Sequence, residues 1–176
     1  MRPTRGRFLW ACALGVALSG CPWLEDLRAP FNASGWFDGS WDGARAGDEQ
    51  ALVECVMAVG LAHDPDAGLG RRRHVEGTAR FTFWCAAPEE PTADTPWPRE
   101  LEFDVDGVVW PGGRLTFGGA ASGEFGEAHL HLDGDGEDVN GDGAMDGLFG
   151  EFCLRVDVPD GTRESVSGTF GVIHLE

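Results

Sequence analysis

The stretch ELEFDVD, residues 100–106, indicates most clearly which fold this chain adopts. Its apolar residues Leu101, Phe103 and Val105 alternate with four carboxylates. Successive side chains of a β-strand point to opposite faces, so this period of two predicts a strand with one face in a core and the other in water. The stretches EFCLRVDV (151–158) and AHLHL (128–132) repeat the pattern. We therefore expect a fold built from amphipathic strands.

Turn-forming Gly, Pro and Asp residues divide the chain into runs of this kind. The segment ALVECVMAVGLA (51–62) would also suit a buried helix, but its Val content and its position between strands favour a strand. No βαβ pattern is present, so we predict an all-β fold of about eight antiparallel strands forming a small up-and-down barrel, with a β-sandwich as the alternative. The predicted strands lie near residues 35–44, 50–62, 74–85, 100–110, 113–118, 124–132, 148–158 and 164–175.

A short motif in the first strand supports the barrel. The residues Gly39, Ser40 and Trp41 in SGWFDGSWDG resemble the Gly-x-Trp signature of the calycins, the group of lipocalins and avidin-like barrels. The resemblance implies a lipocalin-like barrel in which Trp41 closes one end. Five tryptophans would line a ligand cavity or fill the core, namely Trp36, Trp41, Trp84, Trp97 and Trp110.

The first 21 residues have the features of an export signal. Arginines at positions 2, 5 and 7 precede an apolar run from Phe8 to Leu18 that is too short for a membrane span. The following LSGC resembles the lipobox of bacterial lipoproteins, which implies cleavage before Cys21 and a diacylglycerol on its sulfur. Pro22 replaces the Asp that retains many such proteins at the inner membrane, so the resemblance implies a lipid-anchored protein of the cell outer membrane.

These features divide the chain into three parts. Residues 1–20 are the predicted lipoprotein signal peptide, residues 21–34 the lipidated cysteine and a tether, and residues 35–176 a single barrel domain. Removal of 20 residues from the 176-residue chain leaves 156, enough for one domain with its own core.

The charge of the mature chain limits its partners. All 13 basic residues of the chain are Arg, and loss of three with the signal leaves ten against 30 acidic residues, a formal charge of −20. Such a surface repels nucleic acid and favours cationic partners or divalent ions. We therefore expect no nucleic-acid partner.

Three cysteines remain besides the one in the signal and the lipidated Cys21. In an oxidising envelope two of Cys55, Cys85 and Cys153 are expected to form a disulfide and the third to stay free. Their spacing does not choose among the three possible pairs.

The segment DVNGDGAMD (138–146) places oxygen-bearing side chains at positions 1, 3, 5 and 9 of a loop, with Gly at position 6. It resembles the calcium loops of EF-hands, dockerins, thrombospondin type 3 repeats and FG-GAP repeats. Phe149 stands where an EF-hand has a bidentate Glu and the flanks are strands, so we expect a structural Ca²⁺ at a hairpin tip, bound with a Kd of ~10⁻⁴–10⁻³ M. The alternative is an inert turn. The implied ligands are Asp138, Asn140, Asp142, the carbonyl of Ala144 and Asp146.

The remaining motifs favour a binding role over catalysis. His129 and His131 alternate with Leu130 and Leu132, which predicts that both imidazoles point outward. No nucleophile motif is present, so an enzyme is not expected, and a metal-dependent enzyme using these histidines is the remote alternative. We expect a lipid-anchored binding or interaction module for a small apolar ligand or an envelope protein, or else a purely structural surface lipoprotein.

Overall fold

The computed structural model describes residues 28–46, 51–68, 72–83 and 100–175. Within them eight antiparallel strands form one closed up-and-down barrel, in which each strand pairs with its neighbours in the chain and β1 closes the ring against β8. The predicted barrel is thus confirmed, and its closure excludes the open sandwich. The strands are β1 (Gly35–Arg45), β2 (Ala51–His63), β3 (His74–Thr82), β4 (Glu100–Val109), β5 (Arg114–Gly123), β6 (Gly126–Glu137), β7 (Gly147–Asp157) and β8 (Arg163–His174).

The alternation found in the sequence decides which side chains fill the barrel. In β4 the three apolar residues of ELEFDVD are buried and the four carboxylates are exposed. The segment that would also suit a helix is strand β2, in which Met57 and Val59 are buried between half-exposed or exposed neighbours. An eight-stranded barrel is just wide enough for its inward side chains to fill, and here they form one continuous core.

Two strands are longer than predicted. Strand β5 continues through GGAASG to Gly123, and β6 continues to Glu137 through the first part of DGDGEDVNGDGAMDG (133–147), which we call the acidic stretch. Asp133 and Asp135 are therefore strand residues on the outer wall, and only residues 138–146 form the loop between β6 and β7.

The half of the barrel where β1 ends is filled by aromatic rings. The ring of Trp41 lies 5.9 Å from that of Phe81, 5.4 Å from that of Phe83 and 5.3 Å from that of Phe152, measured between centroids. The Trp41 indole N–H is buried and has no acceptor among the described residues. Packing of rings, rather than hydrogen bonding, therefore holds this tryptophan. We call this the far end.

The opposite end, where β1 begins and the β6–β7 loop projects, we call the loop end. Residues 28–34, which we call the N-terminal segment, run across it. The ring of Phe31 lies beside Gly113 and Gly136. Phe31 and Ala33 are buried in the core although the sequence analysis placed them in the tether. A Cβ at Gly136 would lie 2.5 Å from the Phe31 ring, so glycine at this position makes room for the segment.

Candidate functional site

The five predicted calcium ligands lie together in the β6–β7 loop at the loop end. Asp138 and Asp146 are half-buried where the loop leaves β6 and approaches β7, whereas Asn140, Asp142 and Ala144 are exposed. The loop also binds the N-terminal segment. Ala144 forms a parallel bridge with Asn32, supported by the bonds Asn32 N–H to Gly143 O (2.7 Å) and Met145 N–H to Asn32 O (2.9 Å).

The first three side chains of the motif accept hydrogen bonds from the loop's own backbone. The two carboxylate oxygens of Asp138 accept from the N–H groups of Gly141 at 2.7 Å and Gly143 at 3.0 Å. Asn140 Oδ1 accepts from Asp142 N–H at 2.9 Å, and Asp142 Oδ1 from Ala144 N–H at 2.8 Å. Side chains at alternate positions thus bond to the backbone of the loop itself, which fixes the shape of the turn.

Asp146 ties the end of the loop to its beginning. Its carboxylate accepts from the N–H groups of Val139 at 2.7 Å and Asn140 at 3.2 Å, and from the side-chain amide of Asn140 at 3.3 Å. Gly141 and Gly143 have φ angles of 75° and 86°, in the left-handed region that favours glycine. The loop is therefore a defined turn whose charged groups face backbone donors.

The donor set fits a hard cation in residue type and order, but its carboxylates do not meet at one point. Among the described residues no three His, Cys, Asp or Glu side chains are grouped closely enough to hold a metal ion. Position 12 of the loop, where an EF-hand has its bidentate Glu, provides no ligand, because it is occupied by Phe149, half-exposed on the outer wall of β7. Backbone N–H groups partly offset the charge of Asp138, Asp142 and Asp146, and binding of an ion would require the three carboxylates to turn towards each other.

The strand part of the acidic stretch is neutralised differently. Arg114 on β5 donates from Nε to Asp133 Oδ1 at 2.6 Å, and its Nη2 contacts the other carboxylate oxygen. The hydrogen bond from Arg114 lowers the pKa of Asp133 below its usual range, against a smaller effect of burial. One arginine thus offsets a charge that would otherwise repel the neighbouring loop.

A histidine missed by the sequence analysis holds the N-terminal segment in place. His63, the last residue of β2, is buried; its Nδ1 accepts from Ala33 N–H at 3.0 Å, and its Nε2 lies 2.8 Å from the carbonyl of Arg72. A backbone N–H only donates and a carbonyl only accepts, so these partners select the tautomer with the proton on Nε2. Ser34 Oγ adds bonds to the backbone N–H and C=O of His63 at 2.8 and 2.7 Å. The side chains of β2 point into the barrel at alternate positions from Cys55 to Leu61, and position 63 continues this alternation. This alternation is the sequence signal that could have identified His63 as an inward residue.

The histidine pair of β6 lies on the outside of the barrel, as predicted. Leu130 and Leu132 fill the core, while His129 lies 3.5 Å from Glu127 and His131 is exposed. Neither imidazole belongs to a metal-holding group among the described residues.

The prediction that the tryptophans line a cavity or fill the core is confirmed for Trp41 and wrong for Trp36 and Trp110. Trp41 fills the core, and Trp36 and Trp110 are exposed on the outer surface, whereas Trp84 and Trp97 lie outside the described residues. A solvent-open cleft of about 620 Å³ lies outside the barrel at the loop end. Its lining mixes polar and apolar groups, so it is not the predominantly apolar pocket typical of small-ligand sites. The lining comprises Ser34, Ala62, His63, Asp64, Ala67, His74 and Glu76.

The other predicted sites are only partly within the described residues. Cys55 is disulfide-bonded and buried, and Cys153 is a free thiol exposed on β7. Cys85, the signal peptide, Cys21 and the tether as far as residue 27 lie outside the described residues.

Comparisons of the chain with protein-family models, curated proteins and solved structures found no match. In the described part of the chain no helix has the length and apolar character needed to cross a bilayer.

Proposed function

We propose that the mature chain is a lipid-anchored protein of the cell outer membrane that acts through its outer surface as an interaction module. Cys21 carries the lipid in this proposal, and the barrel is the interacting body. The observation that carries it is the filled interior, where rings such as Trp41 and Phe81 touch each other and leave the outer wall and the loops for recognition.

The filled interior favours an envelope protein or surface over a small apolar ligand held inside the barrel. Burial of an apolar molecule there would require core side chains to leave well-packed positions, and such repacking is costly. The proposed anchor is also consistent with the fold, because the chain enters the described domain at one defined end.

Two measurements test this proposal. Metabolic labelling with palmitate should mark the wild-type protein and not Cys21→Ser, and labelling that survives the substitution would refute the anchor. An apolar fluorescent dye titrated into the native protein should show no saturable binding. Stoichiometric binding that disappears on replacement of Phe103 by a polar residue would place a ligand inside the barrel.

We further propose that the β6–β7 loop binds a structural Ca²⁺ through Asp138, Asn140, Asp142, the Ala144 carbonyl and Asp146. The order of these oxygen donors and the two left-handed glycines support this. Bound calcium would supply a positive charge among three carboxylates. Because residues 143–145 bond to Asn32, an ordered loop would stiffen the whole loop end.

Thermal unfolding with added calcium tests the ion site. At about ten times the dissociation constant calcium adds about 1.4 kcal/mol, a rise in midpoint of roughly 3–6 °C for a chain of this size. Asp142→Ala should abolish the rise. Asp160→Ala is the matched control, since Asp160 also accepts a backbone N–H two residues ahead, from Thr162 at 2.7 Å, but lies in the β7–β8 turn. A wild-type midpoint unmoved by calcium would refute the site.

We infer that the partner of Cys55 is Cys85, because Cys153 is free and these three are the cysteines expected to remain after lipidation. Non-reducing peptide mapping should find a Cys55–Cys85 crosslink and an alkylated Cys153. A crosslink containing Cys153 would contradict this pairing.

A further inference from the structure

The exposed large apolar side chains of the described residues are concentrated at one end of the barrel. Val139, the second residue of the β6–β7 loop, is 78% exposed, and five others are about half exposed. All six lie within three residues of the loop-end terminus of a strand, whereas Val56, the seventh, lies on the wall of β2. We call the six residues the apolar rim; they are Trp36, Trp110, Val139, Phe149, Ile173 and Leu175.

The rim runs around the barrel rather than forming a patch on one side. Trp36 is on β1, Trp110 follows β4, and Val139 follows β6. Because the strands close in chain order, these positions are spread around the circumference. A surface that contacts all of them at once must face the end of the barrel and be broad and nearly flat.

The aromatic residues of the rim are held in place. The ring of Trp36 lies over Gly60, where a Cβ would come within 2.5 Å of it, and its indole N–H donates to Asp38 at 3.2 Å. Trp110 donates to Thr116 at 3.2 Å, and the guanidinium of Arg73 lies 5.5 Å from its ring centroid. Fixed indoles with satisfied N–H groups and a nearby cation are suited to a membrane interface, where one side of the residue is apolar and the other wet.

The chain that leads from the proposed anchor, Cys21, enters the barrel domain at the same loop end. Arg28, the first described residue, leads into the segment that crosses the loop end, and it stands seven positions after Cys21 in the chain. Seven residues span at most ~25 Å, so a lipid on Cys21 would keep this end close to the bilayer. A bilayer is also the broad flat surface that the rim requires.

We infer that the loop end is a membrane-docking face, whose apolar rim enters the interfacial zone of the bilayer in which Cys21 is anchored. This inference rests on the proposed lipid anchor. Val139 lies between Asp138 and Asn140 in the acidic β6–β7 loop, so the headgroups it meets are zwitterionic rather than anionic. The far end then points away from the membrane.

The test uses the full lipidated protein on phosphatidylcholine vesicles in the presence of a chelator. An environment-sensitive thiol label is placed at Val139→Cys in a Cys153→Ser background, and in a matched sample on native Cys153. Cys153 is exposed on β7, four residues or ~13 Å along the strand from Phe149. The label at position 139 should shift to shorter wavelength and be quenched at least several-fold more by spin-labelled lipids than the label at 153.

The outcomes separate the anchor from the docking face. Protein that fails to float with vesicles and lacks the lipid mass refutes the proposed function. Protein that floats but shows equal quenching at 139 and 153 refutes the docking face alone. A label at 139 that is shielded from water, unquenched by lipid and dependent on protein concentration shows that a second copy covers the rim, which also overturns the inference. Replacement of Trp36 and Phe149 by Ser should reduce quenching at 139 without loss of flotation.

Discussion

The two ends of this barrel are closed by different means. At the far end three aromatic rings, those of Phe81, Phe152 and Phe83 just beyond β3, pack around Trp41 and fill the interior. At the loop end a segment outside the strands, residues 28–34, covers the opening and is held by His63 and the acidic loop. Closure by rings relies on burial alone, whereas closure by backbone relies on specific hydrogen-bond partners. The two ends should therefore respond differently to substitution.

The largest effect is expected from Trp41→Ala at the far end. Loss of a fully buried ring that touches three others should reduce the free energy of unfolding by about 3–5 kcal/mol, measured by urea titration. Trp36→Ala is the matched control, because it removes the same residue type from the same strand at a half-exposed position. Similar losses for the two variants would contradict the placement of Trp41 in the core.

A smaller loss is expected from His63→Ala at the loop end. It leaves the N–H of Ala33 and the carbonyl of Arg72 without their partner, at a cost of about 1–3 kcal/mol. Opening should be local, so amide exchange should rise in residues 31–34 and not in β7. His129→Ala, on the outer wall, is the control. Uniform acceleration of exchange would show that the segment is not a separate closing element.

The β6–β7 loop should contribute less to the free energy of unfolding than His63 does. Asp138→Ala removes the acceptor of two backbone N–H groups, and we expect a loss of about 1 kcal/mol in the absence of calcium. Asp104→Ala, an exposed carboxylate on the outer face of β4, should change the unfolding midpoint by much less. An equal loss of unfolding free energy in Asp104→Ala would show that the hydrogen bonds accepted by Asp138 do not stabilise the protein.

The smallest effect concerns the ion pair of Arg114 and Asp133 and depends on pH. The folded-state pKa of Asp133 is below its unfolded value, so the pair stabilises the protein above the unfolded pKa. The contribution is lost as pH falls through the folded pKa. Arg114→Gln should thus lower the midpoint slightly at pH 7 and leave it unchanged in strong acid, and a difference that grows on acidification would contradict this sign.

The far end was largely predictable from sequence and the loop end was not. Alternation in EFCLRVDV placed Phe152 inside, and the Gly-x-Trp motif singled out Trp41, because these signals are local. The role of Phe31 depends on contacts with Gly113 and Gly136, which are roughly 80 to 105 residues away in the chain. The local sequence around Phe31 contains no pattern that predicts these contacts. The sixth strand was predicted to end near residue 132, yet pairing with β5 and β7 extends it into the first part of the acidic stretch.

We propose that a lipid at Cys21 holds a packed barrel at the outer membrane with its loop end towards the bilayer. Intact-mass measurement of the protein extracted from isolated outer membranes tests this claim most directly. We predict a chain that starts at Cys21 and carries the added mass of a diacylglycerol and an acyl group. A chain that starts at another residue, or that starts at Cys21 without lipid, would contradict the account.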